Sequence, residues 1–123
     1  METIILAISI TLAGSLLGAT GARSAEVATP LLRKQVGDDF RCLVYNAGKK
    51  PIEVSIQIWD PVNLIGVPAN RTIPPQRSTS VVTEFPFVAT CRVEGKFSRK
   101  KTLVTLCTSP VGTAECTAAV TTP

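Results

Sequence analysis

Histidine is absent from all 123 residues of this chain. Without an imidazole, neither a Ser-His-Asp triad nor a Cys-His pair can form, and transition metals lose their commonest protein ligand. Aromatic residues are also few, at one Trp, one Tyr and four Phe. Nucleic-acid-binding surfaces usually combine cations with stacking aromatics or a recognisable fold, so we expect no nucleic acid partner. We also expect no cofactor, and the composition favours a protein that is not an enzyme.

The N-terminal segment carries no charge between residues 4 and 20 and is rich in apolar side chains. A spanning helix needs about 20 apolar residues, so this segment is marginal in length. The small residues Ala22 and Ser24 then occupy the −3 and −1 positions of a cleavage site. We predict a signal peptide over residues 1–24, a single mature domain over 25–123, and no membrane span after cleavage. An uncleaved anchor is the alternative, because residues 1–3 contain no Lys or Arg.

All four cysteines lie downstream of this apolar segment, at Cys42, Cys91, Cys107 and Cys116. Exported proteins oxidise their cysteines, so the pattern predicts disulfides and a secreted or periplasmic location. Four cysteines allow three pairings. We favour Cys42–Cys91 and Cys107–Cys116, because Pro110 and Gly112 would bend the chain between the second pair. The spacings do not resemble those of a zinc site, and no C-x-x-C motif is present.

Apolar and polar side chains alternate with a period of two along most of the mature chain, which is typical of half-buried strands. The clearest case is 52–59, where Ile52, Val54, Ile56 and Ile58 share one face. The predicted strands are 40–45, 52–59, 64–67, 78–85, 90–97, 102–107 and 116–120.

We predict that strands 40–45 and 52–59 form one hairpin and strands 90–97 and 102–107 another. Six or seven short strands with regular turn signals indicate an all-β fold, a small antiparallel β-sandwich that is immunoglobulin-like in its broad architecture. In this register Trp59 faces away from Ile56 and Ile58. A core tryptophan of an immunoglobulin domain faces inward, so the pattern leaves open a register break near Ile58 or a sandwich of different detail.

Positive charge is concentrated in one stretch of the sequence, within a chain of formal net charge +4. This cluster is a candidate surface for an anionic cell-envelope component; the alternative is a solvated hairpin that protects a sheet edge from aggregation. Its members are Arg92, Lys96, Arg99, Lys100 and Lys101.

Trp59 and Tyr45, together with Leu43, fall on the outer face of the first predicted hairpin. They are candidate partner-binding residues. The favoured alternative is that a second sheet covers this face and makes all three part of the core.

The pattern C-L-V-x-N-x-G…P-I-E-V-x-I over 42–56, with C-x-V-x-G over 91–95, resembles a group of small secreted bacterial β-sandwich proteins that have no assigned function. The resemblance implies the compartment and the fold but assigns no functional residue. Taken together, the chain is expected to be an exported, non-enzymatic binding or structural module. The alternative is an inhibitor or effector that binds a secreted enzyme through the loop closed by Cys107 and Cys116.

Overall fold

The computed structural model describes residues 24–122, so the predicted signal segment lies outside the described residues except for Ser24. Within this range no helix is long and apolar enough to cross a membrane. Residues 24–122 form strands and a single 3-10 turn at Arg99–Lys101. The strands are β1 (Ser24–Ala28), β2 (Leu32–Arg33), β3 (Asp38–Asn46), β4 (Ile52–Trp59), β5 (Leu64–Ile73), β6 (Arg77–Thr83), β7 (Val88–Lys96), β8 (Thr102–Pro110) and β9 (Ala118–Thr121).

The strands form two antiparallel sheets that pack face to face. The first sheet has the order β1-β7-β4-β5, and the short strand β2 also pairs with β7. The second sheet has the order β6-β3-β8-β9. This arrangement confirms the predicted β-sandwich.

The core lies between the inner faces of the two sheets and follows the alternation of the sequence. Along β4, Ile52, Val54, Ile56 and Ile58 are buried, as the pattern predicted. Burial of one such side chain contributes about 1.5–3 kcal/mol. The facing residues from the second sheet are Phe40, Cys42, Val44, Val104 and Leu106.

Both favoured disulfides are present. Cys42 on β3 bonds to Cys91 on β7 with a Cα–Cα distance of 6.1 Å, and this bond joins the two sheets through the core. Cys107 bonds to Cys116 with a Cα–Cα distance of 5.5 Å and closes the loop after β8. In the loop-entropy picture the two bonds stabilise the fold by about 4 and about 3 kcal/mol respectively.

The two predicted hairpins are wrong. Strand β3 pairs with β6 and β8, whereas β4 pairs with β5 and β7. Likewise β7 and β8 lie in different sheets, so the links 47–51 and 97–101 cross from one sheet to the other. Two strands that face each other across a core show the same alternation as two neighbours in one sheet, and the pattern therefore cannot distinguish these arrangements.

The strand order also differs from that of an immunoglobulin domain. The pairs β3–β6 and β4–β7 correspond to the B–E and C–F pairs of an immunoglobulin domain. In that domain the last strand, G, pairs with F. Here the last long strand, β8, pairs with β3, and β7 pairs with the first strand, β1, instead. Trp59 stays on the outer face, while the pairing of β4 with β5 shifts register between Ile56 and Ile58. The extra residues of this irregularity lie in β5, between Ile65 and Ala69, whereas β4 pairs with β7 without interruption.

Phe85 does not belong to the strand in which the alternation placed it. Strand β6 ends at Thr83, and the side chain of Phe85 is 70% exposed. The next residue, Pro86, has no N–H to donate to a sheet ladder, so the chain leaves the sheet before it.

Gly95 lies in β7 between its partners Ala25 on β1 and Val54 on β4. Its backbone has φ +154°, and a Cβ atom at this position would lie 2.1 Å from the carbonyl oxygen of Glu53. Three strands can approach this closely only because residue 95 has no side chain.

We expect Gly95→Ala to lower the free energy of unfolding by about 3–5 kcal/mol, because it combines a strained backbone with a clash against main-chain atoms. Urea unfolding of the oxidised protein measures this. Gly66→Ala is the control, since Gly66 also has positive φ but an added Cβ would meet no atom within 4 Å. The control should cost about 1–2 kcal/mol, and equal losses for the two variants would contradict the packing argument.

Candidate functional site

Loops gather at the two ends of the sandwich, because successive strands run in opposite directions. One end, here called the apolar end, comprises segments 29–37, 60–63, 84–87 and 111–117. The other, here called the basic end, comprises loops 47–51, 74–76 and 97–101 with the strand residues that adjoin them.

Large apolar side chains are exposed together at the apolar end. Phe85 and Phe87 are 70% and 58% exposed, and Val36 and Val111 are exposed more than half as well. All four line one groove with a volume of about 200 Å³. We call these four residues the apolar patch. Two exposed aromatic rings in one groove make this end a candidate interaction surface.

Lys34 braces this end of the molecule. Its Nζ donates to the carbonyl oxygen of Asp38 at 2.7 Å and also to that of Glu84. The same ammonium lies 5.6 Å from the centre of the Phe87 ring, and the backbone N–H of Lys34 donates to the carbonyl oxygen of Phe87 at 2.9 Å. One side chain therefore ties segment 84–87 to the segment that precedes β3.

The loop closed by Cys107 and Cys116 contributes Val111 to the patch. The backbone N–H of Val111 donates to the carbonyl oxygen of Gly37 at 3.1 Å. Further along the loop, Nη2 of Arg41 donates to the carbonyl oxygen of Thr113 at 3.2 Å. The disulfide and these two hydrogen bonds hold the loop against the rest of the apolar end.

Carboxylates border the apolar patch. Asp38, Asp39 and Glu84 line the groove together with Lys34. The oxygen Oδ1 of Asp60, in another segment of this end, accepts from the backbone N–H groups of Asn63 and Val62, and these hydrogen bonds lower the pKa of Asp60 below its ordinary value. Within residues 24–122, no three acidic or cysteine side chains are grouped so that they could hold a metal ion.

The basic end contains most of the predicted cationic cluster. Lys96, Arg99, Lys100 and Lys101 are all exposed there, at the end of β7 and in the 3-10 turn. The fold adds three exposed cations that are distant in sequence, Lys49, Lys50 and Arg77. We call these seven residues the cationic surface.

Arg92, the fifth member of the predicted cluster, does not join the cationic surface. It lies on the outer face of the first sheet, where its Nε is 3.1 Å from Oε2 of Glu26 and its guanidinium stacks over Trp59 at 4.6 Å from the ring centre. Along β7, Arg92 and Lys96 share a face but are separated by four residues, or about 13 Å.

Hydrogen bonds from one buried amide, Asn46, and one exposed amide, Gln76, organise the loops of the basic end. Asn46 is 1% exposed; its Nδ2 donates to the carbonyl oxygens of Lys50 and Ile73, and its Oδ1 accepts from the N–H of Gly48 at 2.9 Å. The side-chain amide of Gln76 donates to the carbonyl oxygens of Ala47 and Gly48. These contacts connect loop 47–51 to the turn between β5 and β6.

Trp59 and Tyr45 do not form a common patch, because β4 and β3 lie in different sheets. The favoured alternative, that a second sheet buries both, is also wrong: each is half-buried on the outer face of its own sheet. The indole N–H of Trp59 donates to Gln57 at 2.9 Å, and the hydroxyl of Tyr45 donates to Gln76 at 2.8 Å. Both polar groups are therefore used within the fold.

A wider groove of about 900 Å³ crosses the outer face of the first sheet towards the basic end. Its charged lining is balanced, with three carboxylates and three cations, so it shows no preference for a ligand of one charge. The charged residues are Glu26, Glu53, Glu94, Arg71, Lys96 and Arg99.

The sequence reasoning missed the apolar patch. Alternation assigned Phe85 to the predicted strand 78–85, and Val36 and Val111 are single apolar residues in loops that gave no signal of their own. The available clue was the order Phe85-Pro86-Phe87, in which two aromatics flank a proline between two strands. Such a proline predicts a loop, and aromatics in a loop are candidates for binding.

Comparison with known proteins adds little to this description. No family model matches the chain, and no curated protein matches it. Among solved structures, the chain is similar to the Anabaena sensory rhodopsin transducer at 18% sequence identity, with 72% of this chain and 97% of that chain covered and a TM-score of 0.39. This degree of similarity supports no function for the present chain.

We expect Lys34→Met to lower the free energy of unfolding by about 1–2 kcal/mol, because it removes two charge-assisted hydrogen bonds while keeping the apolar stem. Amide hydrogen exchange should become faster in segments 35–38 and 84–87. The control is Lys49→Met, which changes an exposed lysine of the basic end. If both variants exchange alike in these segments, Lys34 is not the brace described here.

Proposed function

We propose that the chain is an exported, non-enzymatic binding module that recognises a partner protein through the apolar patch. The observation that carries the proposal is the joint exposure of Phe85 and Phe87 beside Val36 and Val111 in a single groove. Buried aromatic anchors dominate the binding energy of protein interfaces. Covering Phe85 and Phe87 would therefore supply most of the binding energy at this patch.

The charges around the apolar patch specify the chemistry of the partner. Asp38, Asp39 and Glu84 line the same groove as the aromatic rings. A partner segment with apolar side chains flanked by Lys or Arg would fill the groove and neutralise these carboxylates. A segment flanked by Asp or Glu would instead bring like charges together, which costs affinity.

The apolar end is held in one arrangement before any partner binds. Lys34 ties two of its segments together, and Cys107–Cys116 closes a third. Loops that are already ordered lose less conformational entropy on association. This preorganisation supports recognition of a partner over a role as a passive spacer.

Export is supported by the two disulfides, which are typical of proteins that mature in an oxidising compartment. It agrees with the signal peptide predicted from the N-terminal sequence. A secreted or periplasmic location is accordingly part of the proposal.

Two synthetic peptides with the same Leu-Phe-Leu centre, one flanked by lysines and one by glutamates, test the proposed recognition. On titration into ¹⁵N-labelled protein, the lysine-flanked peptide should shift the amide signals of residues 36, 84–87 and 111. The glutamate-flanked peptide should bind at least about tenfold more weakly. Phe85→Ser or Phe87→Ser should weaken binding of the first peptide at least about tenfold.

The matched control is Val67→Ser, because Val67 is 85% exposed on β5 and lies outside the apolar patch. This variant should bind the lysine-flanked peptide like the unmodified protein. Equal binding of both peptides, or equal weakening by Val67→Ser, would overturn the proposal.

A second candidate function is inhibition of a secreted enzyme through the loop closed by Cys107 and Cys116. The position of Val111 favours it, since this exposed side chain is held at the apolar end by the contact with Gly37 and by the disulfide. A constrained loop with an exposed side chain can occupy a cleft in another protein at low entropic cost.

If this second candidate is right, the oxidised protein inhibits at least one member of a panel of secreted hydrolases. Scrambling residues 111–115 should abolish that inhibition, whereas Ala118→Ser on β9 should leave it unchanged. Inhibition that survives the scrambled loop, or no inhibition of any hydrolase, would exclude this role.

A further inference from the structure

The loops and strand ends of the basic end carry seven exposed cations, and three carboxylates, Glu26, Glu53 and Glu94, line the wider groove beside Lys96 and Arg99. Segments 47–51, 74–77 and 96–101 contain no Asp or Glu. The one ion pair within 4 Å among the described residues joins Arg92 to Glu26, and neither residue belongs to these three segments. The apolar end has the opposite balance, with five carboxylates and two cations in its segments and the adjoining start of β3. The loops at the basic end are therefore net cationic, and those at the apolar end are net anionic.

The cationic surface is also held on a rigid base. Asn46 and Gln76 join the first two loops of the basic end through their side-chain amides. The third loop joins them through the backbone, since the N–H of Ala47 donates to the carbonyl oxygen of Lys101 at 2.8 Å. The loops that carry these cations are consequently fixed relative to one another.

The described chain begins at this same end. Ser24, the first residue of β1, pairs with Lys96 of the cationic surface. Only residues 21–23 separate it from the uncharged segment 4–20. Three extended residues span at most about 10 Å. Where segment 4–20 is retained as an anchor, the alternative to cleavage, the cationic surface is therefore within reach of the lipid headgroups.

From the charge of the cationic surface we infer that the basic end docks on the surface of an anionic phospholipid bilayer. Lys and Arg side chains near such a surface are attracted by its negative potential. The attraction acts over about one Debye length, some 8 Å at physiological salt, which matches the short connection to segment 4–20. This surface is distinct from the apolar patch used in the proposed function.

The docking orientation follows from the fold. The nine residues of β3 run from one end of the sandwich to the other, a length of about 30 Å. With the cationic surface on the lipid, the apolar patch points away from the bilayer. A domain docked in this way would present Phe85 and Phe87 to partners that approach from outside.

Vesicle co-sedimentation of the exported, disulfide-bonded protein tests the inference, with its N-terminus identified by mass spectrometry. Vesicles of phosphatidylcholine mixed with phosphatidylglycerol are compared with vesicles of phosphatidylcholine alone. We expect binding to the anionic vesicles to exceed binding to the neutral vesicles at low salt and the excess to fall as salt rises. Both kinds of vesicle have an apolar interior. Any binding that depends on segment 4–20 is therefore the same for both and does not contribute to the excess binding to anionic vesicles.

Charge variants assign the excess binding to this end of the molecule. Lys100→Gln should weaken binding to anionic vesicles about fivefold, and Lys49→Gln with Lys100→Gln about 25-fold, at the attraction expected for each cation near the surface. The matched control is Arg33→Gln, which removes one exposed cation at the apolar end and should leave binding unchanged. Circular dichroism verifies that each variant is folded.

Dextran sulfate, a soluble polyanion, distinguishes the bilayer from an anionic polymer. Binding to dextran sulfate without excess binding to anionic vesicles would overturn the inference, and so would equal losses for Lys100→Gln and Arg33→Gln. Phe85→Ser separates this inference from the proposed function, because it should weaken peptide binding at least about tenfold and leave vesicle binding intact.

Discussion

The Cys42–Cys91 bond is the constraint on which the rest of the structure depends. It joins β3 and β7, each of which is central in its own sheet, and it passes through a core made of two single layers of side chains. A domain of about 100 residues buries only about 60–65% of its unfolded surface. The cross-link compensates for this thin core by reducing the entropy of the unfolded chain. It also ties the two sheets to each other at the centre of the core.

The separation of the two ends follows from the strand order. Because adjacent strands are antiparallel, segments that are far apart in sequence gather at one end, and the charge of each end is set by the loops that gather there. Lys34 and Cys107–Cys116 organise the apolar end, whereas Asn46 and Gln76 organise the basic end. Two surfaces of different chemistry can thus act independently on one rigid scaffold. The proposals made here assign a protein partner to the first and a lipid surface to the second.

Particular residues show which features of the structure the pattern of side chains predicted and which it did not. The alternation of Ile52, Val54, Ile56 and Ile58 predicted β4 and its inner face, and the bend between Cys107 and Cys116 predicted their bond. Four members of the predicted cationic cluster lie together, since they are neighbours along the chain. Arg92 is the exception. It lies four residues before Lys96 on β7, further from the basic end, where it contacts Glu26 and Trp59. Phe85 was misplaced because alternation continues past the true end of β6.

The sequence alone therefore predicted the alternation that makes the strands, the fold class and the favoured cysteine pairs. The tertiary structure alone decided which strands are neighbours, and with this the assembly of the apolar patch from three separate segments and the addition of Lys49, Lys50 and Arg77 to the cationic surface. The physical reason is that alternation records only which face of a strand is buried. It carries no information about which sheet covers that face, and that choice depends on the packing of the whole chain.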